Sequence, residues 1–301
     1  MSGAIEIHGL RKTYGDTVAV RDIDLEVAQG EILALLGPNG AGKTTTVEIL
    51  EGFRARDAGS VTVLGIDPAE GGRALRERVG IVLQSSGIDQ FLTVREVLRL
   101  YAGYYPRSVD IDELLDTVGL TEKAGSRVRA LSGGQQRRVD LALGLVGDPE
   151  LVFLDEPTTG FDPNARRGAW EVVSSLRGKG KTVLLTTHYM DEAQHLADRV
   201  AVMSGGSLVA LGPPDQLGGR DTGIATVRFV LPDGVDPADL PVAVRPEGDG
   251  VVLETDQPTP ALHQLTGWAV ERGLELPALT VTRPSLEDVY LELTADGEEE
   301  P

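Results

Sequence analysis

The sequence predicts an α/β protein with a parallel central sheet, followed by a small α+β domain. Two observations predict the first part: apolar strand-like runs alternate with helical patterns, and a glycine-rich turn joins one such run to a helix. A third observation predicts the second part, since a segment rich in glycine and proline near residue 212 separates the two regions. We therefore expect domains at residues 1–220 and 221–301.

The first predicted elements are short strands within residues 4–36. IEIHGL and TVAVRDIDLEV show partial alternation, whereas ILALLG is a continuous apolar run of the kind that is buried on both faces. The segment GPNGAGKTTTVEILEG follows as a glycine-rich turn that continues into a helix. Further strands are predicted at residues 60–64 and 79–84.

The second half of the first domain is predicted to begin with helices and to return to strands. Residues 86–148 have a helical pattern, and strands at residues 151–156 and 182–188 flank the helical stretch ARRGAWEVVSSLRGKG. This strand-helix-strand unit is typical of parallel sheets. Beyond the linker we predict strands at ATVRFVL, VVLETD and PALTVT, and helices at PTPALHQLTGWAVERG and PSLEDVYLELT.

The composition is that of a soluble globular protein, with 41% hydrophobic and 25% charged residues. No apolar run reaches the roughly 18 residues of a membrane span, and the N-terminus lacks a secretion signal, so we expect the cytoplasm. The absence of cysteine excludes disulfides and thiolate metal sites. The net charge is -19, and residues 221–301 carry 17 acidic against 4 basic residues, so we expect no nucleic-acid partner.

A phosphate-binding loop is predicted at residues 37–44, which read GPNGAGKT and fit the pattern G-x-x-x-x-G-K-[ST]. In such a loop the glycine N–H groups surround a phosphate, and the following helix adds the positive end of its dipole. We expect Lys43 to reach the β and γ phosphates and Thr44 to hold Mg²⁺. The predicted nucleotide-binding residues are Gly37, Pro38, Asn39, Gly40, Ala41, Gly42, Lys43, Thr44 and Thr45.

The segment LVFLDEP supplies the acidic half of the predicted site. Asp155 lies where a buried strand ends, the edge at which parallel sheets bind ligands, and we expect it to hold Mg²⁺ through a water. Glu156 is the predicted general base, which would orient a water for attack on the γ phosphate. The alternative for Glu156 is a solvated glutamate at the end of a strand.

Two further polar residues follow predicted strands of the same sheet. A single histidine is more often a surface residue, but the position of His188 at the ligand-binding edge favours a catalytic role. The amide of Gln84 could reach Mg²⁺ or the attacking water. The predicted catalytic residues are thus Glu156, His188, Gln84 and Lys43, and the predicted metal ligands are Thr44, Gln84 and Asp155.

The segment LSGGQQRR at residues 131–138 predicts a second anion-binding helix start. Ser132 and Gln135 fit a capping box, whereas Gly133 and Gly134 each cost about 1 kcal/mol relative to alanine within a helix. Such glycines offer bare N–H groups to an anion. Because the loop at residues 37–44 already serves one nucleotide, we predict that these four residues bind the nucleotide of another subunit.

Taken in order, these segments resemble the ATP-binding subunits of ABC transporters. LSGGQ is similar to the signature motif of that family, and the ordered set covers residues 1–220. It comprises Tyr14 in the adenine-stacking position, the Walker A loop at 37–44, Gln84 of the Q-loop, the signature at 131–135, Walker B at 151–156, the D-loop at Gly160, Phe161 and Asp162, and the His188 switch. The resemblance implies a P-loop NTPase fold with a RecA-like core, an antiparallel β subdomain and an α-helical signature subdomain at about 86–148.

The resemblance also implies a homodimer in which two chains enclose two ATP molecules. Each nucleotide would lie between Lys43 of one chain and Ser132 of the other, with Asp162 nearby. Phe161 departs from the pattern, since many relatives have a smaller aliphatic residue there. The alternative for Tyr14 is a partly buried aromatic residue of a strand.

Two segments narrow the resemblance to exporter subunits of the daunorubicin/doxorubicin-resistance type: RPSLEDVYLELT near the end, and VEILEGFRARDAGSVTVLGIDP after the Walker A loop. This implies export of a drug, antibiotic or lipid-like substrate through a separate multi-span permease at the cytoplasmic face of the membrane. By analogy, the small domain assists dimerisation or docking. The alternative for its last segment is an amphipathic core helix with Leu286, Val289, Tyr290 and Leu293 on one face.

Two other classes of protein remain as alternatives. A soluble ABC-type ATPase of DNA repair or translation would carry a long coiled-coil insertion, zinc-binding cysteines or two cassettes, and none of these is in the sequence. A regulatory module without hydrolysis would not need Glu156 and His188. Copurification with a multi-span membrane protein would separate the transporter from both.

Overall fold

The computed structural model describes residues 3–82, 87–217, 224–232, 234–282 and 290. The chain divides into two compact units, Met1–Pro214 and Asp215–Pro301. Among the described residues, every helix is too short or too polar to span a bilayer. The proposed domain boundary at residue 220 and most of the last predicted helix lie outside the described residues.

The central sheet of the first unit has the strand order β5-β6-β7-β3-β8-β9. Its strands are β3 (Ile32–Leu36), β5 (Val79–Val82), β6 (Leu151–Asp155), β7 (Thr182–Thr187), β8 (Arg199–Ser204) and β9 (Ser207–Gly212). The first five are parallel to one another, and β9 pairs antiparallel with β8. The continuous apolar run of β3 is buried throughout, as predicted for a central parallel strand. The carboxyl ends of β3, β6 and β7 therefore meet at one edge of the sheet.

A second sheet of the first unit is antiparallel, with the order β2-β1-β4. Its strands are β1 (Ile5–Tyr14), β2 (Thr17–Val27) and β4 (Ala58–Val63). The inward-facing side chains of β1, including Ile5, Ile7 and Leu10, share a hydrophobic core with Leu33 and Phe153 of the central sheet. This core holds the two sheets together, and truncating a buried phenylalanine such as Phe153 typically costs about 3–5 kcal/mol.

The helices of the first unit are α1 (Lys43–Leu50), α2 (Pro68–Arg76), α3 (Val94–Ala102), α4 (Ile111–Thr117), α5 (Gly133–Leu145), α6 (Pro163–Gly178) and α7 (Met190–Leu196). The helical segment predicted at residues 86–148 contains α3, α4 and α5. Capping boxes begin two of these helices: Thr93 with Glu96 at α3, and Ser132 with Gln135 at α5. Both boxes satisfy N–H groups that a helix start otherwise leaves without partners.

The second unit contains an antiparallel sheet with the order β11-β12-β10-β13. Its elements are β10 (Ala225–Phe229), β11 (Arg245–Glu247), β12 (Gly250–Thr255), α8 (Pro258–Glu271) and β13 (Thr280–Thr282). Val227, Phe229 and Val251 of the sheet form a small core with Leu265 of α8. The described part of this unit is thus α+β, as its sequence pattern predicted.

The sequence patterns missed several elements, namely α2, α7, β8, β9 and β11. The strands β8 and β9 form a hairpin whose turn is Gly205-Gly206, and both glycines have positive φ (53° and 86°). Such a two-glycine turn is a recognisable hairpin signal, so this omission was avoidable. The helix α2 contains Gly72 in a non-helical conformation (φ 48°), which explains its weak helical pattern.

Candidate nucleotide-binding and hydrolysis site

The glycine loop connects β3 to α1, and its backbone requires glycine at two positions. Gly42 caps α1 with φ 99°, and a Cβ there would lie 2.3 Å from the carbonyl oxygen of Ala19. A Cβ at Gly37 would lie 2.5 Å from the carbonyl oxygen of Met203. Neighbouring strands of the same chain therefore enforce the shape of this loop.

Lys43 is buried behind the loop, with 6% of its surface exposed. Its Nζ donates hydrogen bonds to the carbonyl oxygens of Gly37 (2.7 Å) and Pro38 (3.0 Å). Burial lowers the pKa of Lys43, whereas the nearby charges of Glu156 and Asp155 raise it. A phosphate is a stronger acceptor than two carbonyl oxygens, so the geometry leaves Lys43 ready to exchange them for a nucleotide.

The rest of the loop offers an open rim around Lys43. Pro38, Asn39, Gly40 and Thr44 are exposed, Gly42 and Thr45 are partly exposed, and Ala41 is buried. The N–H groups of the first turn of α1 begin at this rim, which is the arrangement that binds phosphate. The loop thus fits the nucleotide predicted for it.

Asp155 and Glu156 lie at the end of β6, beside the end of β7. The hydroxyl of Thr186 donates to Oδ1 of Asp155 (2.6 Å). Oε2 of Glu156 accepts from the hydroxyl of Thr159 (3.1 Å), and Oε1 lies 3.3 Å from Nδ1 of His188. The structure therefore brings Asp155, Glu156 and His188 together at the predicted edge of the sheet.

The donor groups available for a metal are a hydroxyl and a carboxylate. Thr44 is exposed at the start of α1, and Asp155 is half-buried at the end of β6. Oxygen donors of this kind suit Mg²⁺, which usually takes one or two protein ligands together with nucleotide phosphates. The described residues contain no cluster of three or more histidine or acidic side chains able to hold a metal. Gln84, the third predicted ligand, lies outside the described residues.

Tyr14 ends β1 with 40% of its surface exposed, so its ring is not part of the core. The guanidinium of Arg54 lies 5.2 Å from the ring centroid, and Nζ of Lys12 lies 5.5 Å from it. An exposed aromatic ring can stack on a base. The exposed part of the ring leaves room for adenine stacking, which stays a prediction beside the alternative of a partly buried strand residue.

The signature helix α5 begins at Ser132, as the capping box predicted. A Cβ at Gly134 would lie 3.1 Å from the Cβ of Ala165 on α6, whereas a Cβ at Gly133 would meet no atom within 4 Å. Gly134 therefore has a packing reason within the chain. No contact with the described residues therefore prevents a Cβ at Gly133.

A cavity of about 660 Å³ lies between the start of α5 and the loop that follows Glu156. Ser132, Gly133, Glu156 and Asp162 are among the residues that line it, and none of residues 37–44 does. Phe161 also lines this cavity and is half-buried. The signature residues and the glycine loop thus do not share this cavity in one chain.

Asp162 has a clear local role in the structure. Its Oδ1 accepts hydrogen bonds from the backbone N–H groups of Asn164 and Ala165, both at 2.9 Å. It therefore caps the start of α6. If Asp162 also contacts a nucleotide, it would do so while its carboxylate caps α6.

Sequence reasoning missed three residues that support the site: Arg137, Thr186 and Glu192. The buried guanidinium of Arg137 donates to the carbonyl oxygens of Pro157 (3.2 Å) and Asp155 (3.3 Å), tying α5 to the end of β6. Glu192, fully buried, accepts from the hydroxyl of Thr158 (2.8 Å). No pattern in the sequence marks any of these three residues for this role.

Comparisons with known proteins agree with this geometry. Residues 20–159 match the family model described as ABC transporter, and residues 225–285 match one described as the C-terminal domain of ABC transporter domain-containing proteins. The Nod factor export ATP-binding protein I of Rhizobium johnstonii is 40% identical, with 97% of this chain and 94% of that protein aligned. The daunorubicin resistance ATP-binding protein DrrA3 of Streptomyces coeruleorubidus is 39% identical, over 97% of this chain and 96% of that protein.

Solved structures give the same result for the fold. The CbiO1 protein of Clostridium perfringens, described as part of an ABC transporter complex, is 27% identical with a TM-score of 0.66. The match covers 73% of this chain and 92% of that one. These findings confirm the predicted P-loop fold and the resemblance to the drug-resistance subfamily. The chain therefore belongs to the ATP-binding proteins of ABC transporters, a family of ATPases.

Proposed function

We propose that two copies of this chain enclose two ATP molecules, hydrolyse them and thereby drive export through a separate transmembrane permease. The observation that carries the dimer is that the signature residues and the glycine loop do not line the same cavity within one chain. The charges of Asp155 and Glu156 act on Lys43, and His188 contacts Glu156, whereas Ser132 and Gly133 border a cavity that Glu156 also lines and the glycine loop does not. A second copy would bring the missing half.

The chemistry is assigned to the residues at the ends of β3, β6 and β7. Lys43 binds the β and γ phosphates after leaving the carbonyl oxygens of Gly37 and Pro38. Glu156 orients a water, accepts its proton as the oxygen attacks the γ phosphorus, and ADP is the leaving group. His188, 3.3 Å from Glu156, holds that carboxylate in position. Thr44 and Asp155, with Gln84 as a third candidate, would hold Mg²⁺, which neutralises phosphate charge when bound.

The export assignment is supported by the relatives, two of which are named for Nod factor export and daunorubicin resistance. We propose a drug, an antibiotic or a lipid-like molecule as the substrate class. The chain would act at the cytoplasmic face of the cell membrane through its permease. The residues near the helix α3 would transmit closure of the dimer to that partner, and the C-terminal unit would assist dimerisation or docking.

The proposal is tested by Glu156→Gln in the full chain. We expect phosphate release to fall by about 10²–10⁴-fold, because a general base contributes about that much. An ATP-bound dimer should then accumulate on size exclusion. Glu171→Gln, on the exposed face of α6, is the matched control and should behave as wild type. Unchanged phosphate release by Glu156→Gln would reject Glu156 as the base.

A second measurement addresses the dimer directly. Specific activity of the wild-type chain should rise with protein concentration until the dimer is saturated, since each chain lacks half of the pocket. Copurification with a multi-span membrane protein would support the permease. Full activity at every concentration, from a preparation that stays monomeric, would overturn the proposal.

A further inference from the structure

We infer that Thr186 is a positioning residue: its hydroxyl sets the metal-holding carboxylate of Asp155 and the backbone of Glu156 relative to each other. The inference rests on the proposed function, because it assigns Asp155 and Glu156 to Mg²⁺-ATP. It concerns a residue that lies two positions before His188 and that no motif of the sequence includes.

The geometry of two parallel strands creates this contact. Asp155 of β6 lies opposite Thr186 of β7 in the sheet register. The hydroxyl of Thr186 donates its hydrogen to Oδ1 of Asp155 (2.6 Å) and accepts the backbone N–H of Glu156 (3.0 Å). One hydroxyl thus contacts two consecutive residues of the site, and with 1% of the Thr186 surface exposed, water does not compete for it.

The contact with Glu156 restrains an unusual backbone. Glu156 has φ 45°, a left-handed conformation that is uncommon for a residue other than glycine. Such a conformation persists only where its surroundings hold it. The N–H of Glu156 is held twice by Thr186, through the hydroxyl (3.0 Å) and through the carbonyl oxygen (3.2 Å). The hydroxyl therefore helps to fix the direction in which the Glu156 side chain leaves the strand.

The contact with Asp155 acts on its charge as well as its orientation. The donor at Oδ1 reduces the negative charge on that oxygen and leaves Oδ2 as the more strongly charged oxygen of the carboxylate that would hold Mg²⁺. Residues that orient a metal-binding carboxylate in this way typically change metal affinity about 10–100-fold when they are removed. We therefore expect loss of the Thr186 hydroxyl to change mainly the Mg²⁺ dependence of nucleotide binding.

A matched control distinguishes the positioning of Asp155 and Glu156 from a purely structural role of a buried hydroxyl. Thr182 lies on the same strand, is also buried, and accepts a hydrogen bond from the N–H of Gly30 (2.9 Å). It occupies the other end of β7, away from Asp155 and Glu156. Thr182→Val therefore removes a buried threonine hydroxyl of the same kind without touching the site.

The experiment measures binding of a fluorescent ATP analogue to the full chain, first in EDTA and then over a titration with Mg²⁺. We expect the affinity of Thr186→Val for the analogue in EDTA to stay within about twofold of wild type. The Mg²⁺ concentration that gives half of the Mg²⁺-dependent gain in affinity should rise about tenfold. Thr186→Ser, which keeps the hydroxyl, and Thr182→Val should both follow the wild-type Mg²⁺ curve. Urea unfolding of each variant verifies that it is folded.

The outcomes are distinguishable. A wild-type Mg²⁺ curve for Thr186→Val, or an equal shift for Thr182→Val, would overturn the inference. If Thr186→Val does not fold, Thr186→Ala removes the hydroxyl with a smaller side chain and is read in the same way. Failure of the proposed function itself would be seen in the wild-type chain, as an absence of Mg²⁺-dependent ATP binding.

Discussion

The two glycine-rich segments of the first unit owe their glycines to different causes. At the glycine loop, a Cβ on Gly37 or Gly42 would collide with carbonyl oxygens of neighbouring strands in the same chain. At the start of α5, a Cβ on Gly133 would meet no atom within 4 Å. The fold of the chain therefore requires the glycines of the first segment, whereas no contact with the described residues requires glycine at position 133.

In the dimer that we propose, the start of α5 is the half of the site that depends on a second molecule. The described residues of the loop half lie close together in one chain: Lys43 is buried, Gly42 caps α1, and the charges of Asp155 and Glu156 act on Lys43. In the proposed dimer, the signature half would offer its helix start, which borders the cavity, to the nucleotide of the second chain. Variants of the two halves should consequently fail in different ways.

The largest effect is expected for Gly42→Ala. Its φ of 99° and the 2.3 Å approach to the carbonyl oxygen of Ala19 would force the loop to move. We expect ATP binding to be lost and the free energy of unfolding to fall by more than about 2 kcal/mol. Fluorescent-nucleotide binding and urea unfolding measure the two effects. Normal binding by Gly42→Ala would contradict the claim that this chain's own strands shape the loop.

The next effect is a loss of turnover without a loss of binding, expected for Ser132→Arg. A bulky cation at the start of α5 should leave nucleotide binding by one chain unchanged and block dimer closure, lowering phosphate release by about 100-fold or more. Ser108→Arg, on an exposed loop, is the matched control. ATP-dependent dimerisation of Ser132→Arg at the wild-type level would contradict the role assigned to a second chain.

The same variant permits a complementation test. Lys43→Ala should weaken ATP binding by about 10–100-fold, since a charged hydrogen bond contributes about 1.5–3 kcal/mol. Mixing Ser132→Arg with Lys43→Ala creates dimers in which one pocket has both an intact loop and an intact signature. Activity should partly return on mixing. No recovery from two folded variants would contradict pockets shared between chains.

Local patterns predicted the parts of this molecule that depend on neighbours in sequence. The helix start at Ser132 followed from its spacing to Gln135, and the buried strand β3 followed from five consecutive apolar residues. The glycine loop and the acidic end of β6 also followed from short motifs, because the chemistry of phosphate binding dictates their residue order. The family assignment needed the order of these motifs along the chain.

Contacts between distant strands were beyond those patterns. In the sequence, Thr186 is indistinguishable from the other residues of a buried strand. Its hydrogen bond to Asp155 depends on the parallel register of β6 and β7. Glu192 lies in a short helix whose seven residues give too little periodicity to assign a buried face. Arg137 is a special case, since a charged residue in a helix gives no sign that it is buried against backbone carbonyl oxygens.

A smaller effect is expected for Gly133→Ala, which tests whether the glycine at the start of α5 serves ligand binding and not the fold of the chain. Alanine favours a helix over glycine by about 1 kcal/mol or less at such a position, so the unfolding free energy should stay equal or rise slightly. Turnover should nevertheless fall about tenfold, because the methyl group crowds the ligand in the closed dimer. Gly134→Ala should gain less stability than Gly133→Ala, because its Cβ would lie 3.1 Å from the Cβ of Ala165. If Gly133→Ala were destabilised but fully active, Gly133 would serve the fold of the chain and not ligand binding.

The last effect concerns stability alone and tests how much charge the loop half buries. Glu51 ends α1, and burial, with smaller contributions from Asp155 and Glu48, raises its pKa from 4.5 to about 8. Between those pH values the folded chain keeps a proton that the unfolded chain has released. The free energy of unfolding should therefore fall as the pH rises through this range, by an amount on the order of 4 kcal/mol.

Glu51→Gln should remove this pH dependence, because a neutral amide replaces the group that titrates. The variant should match wild type near pH 4.5 and exceed it in stability above pH 8, as measured by urea unfolding in EDTA. Glu171→Gln, an exposed acid on α6, should leave the slope unchanged. A wild-type slope in Glu51→Gln would mean that this carboxyl is charged in the folded chain. The folded chain would then hold a buried negative charge at Glu51, and this charge would repel the phosphates of the proposed nucleotide.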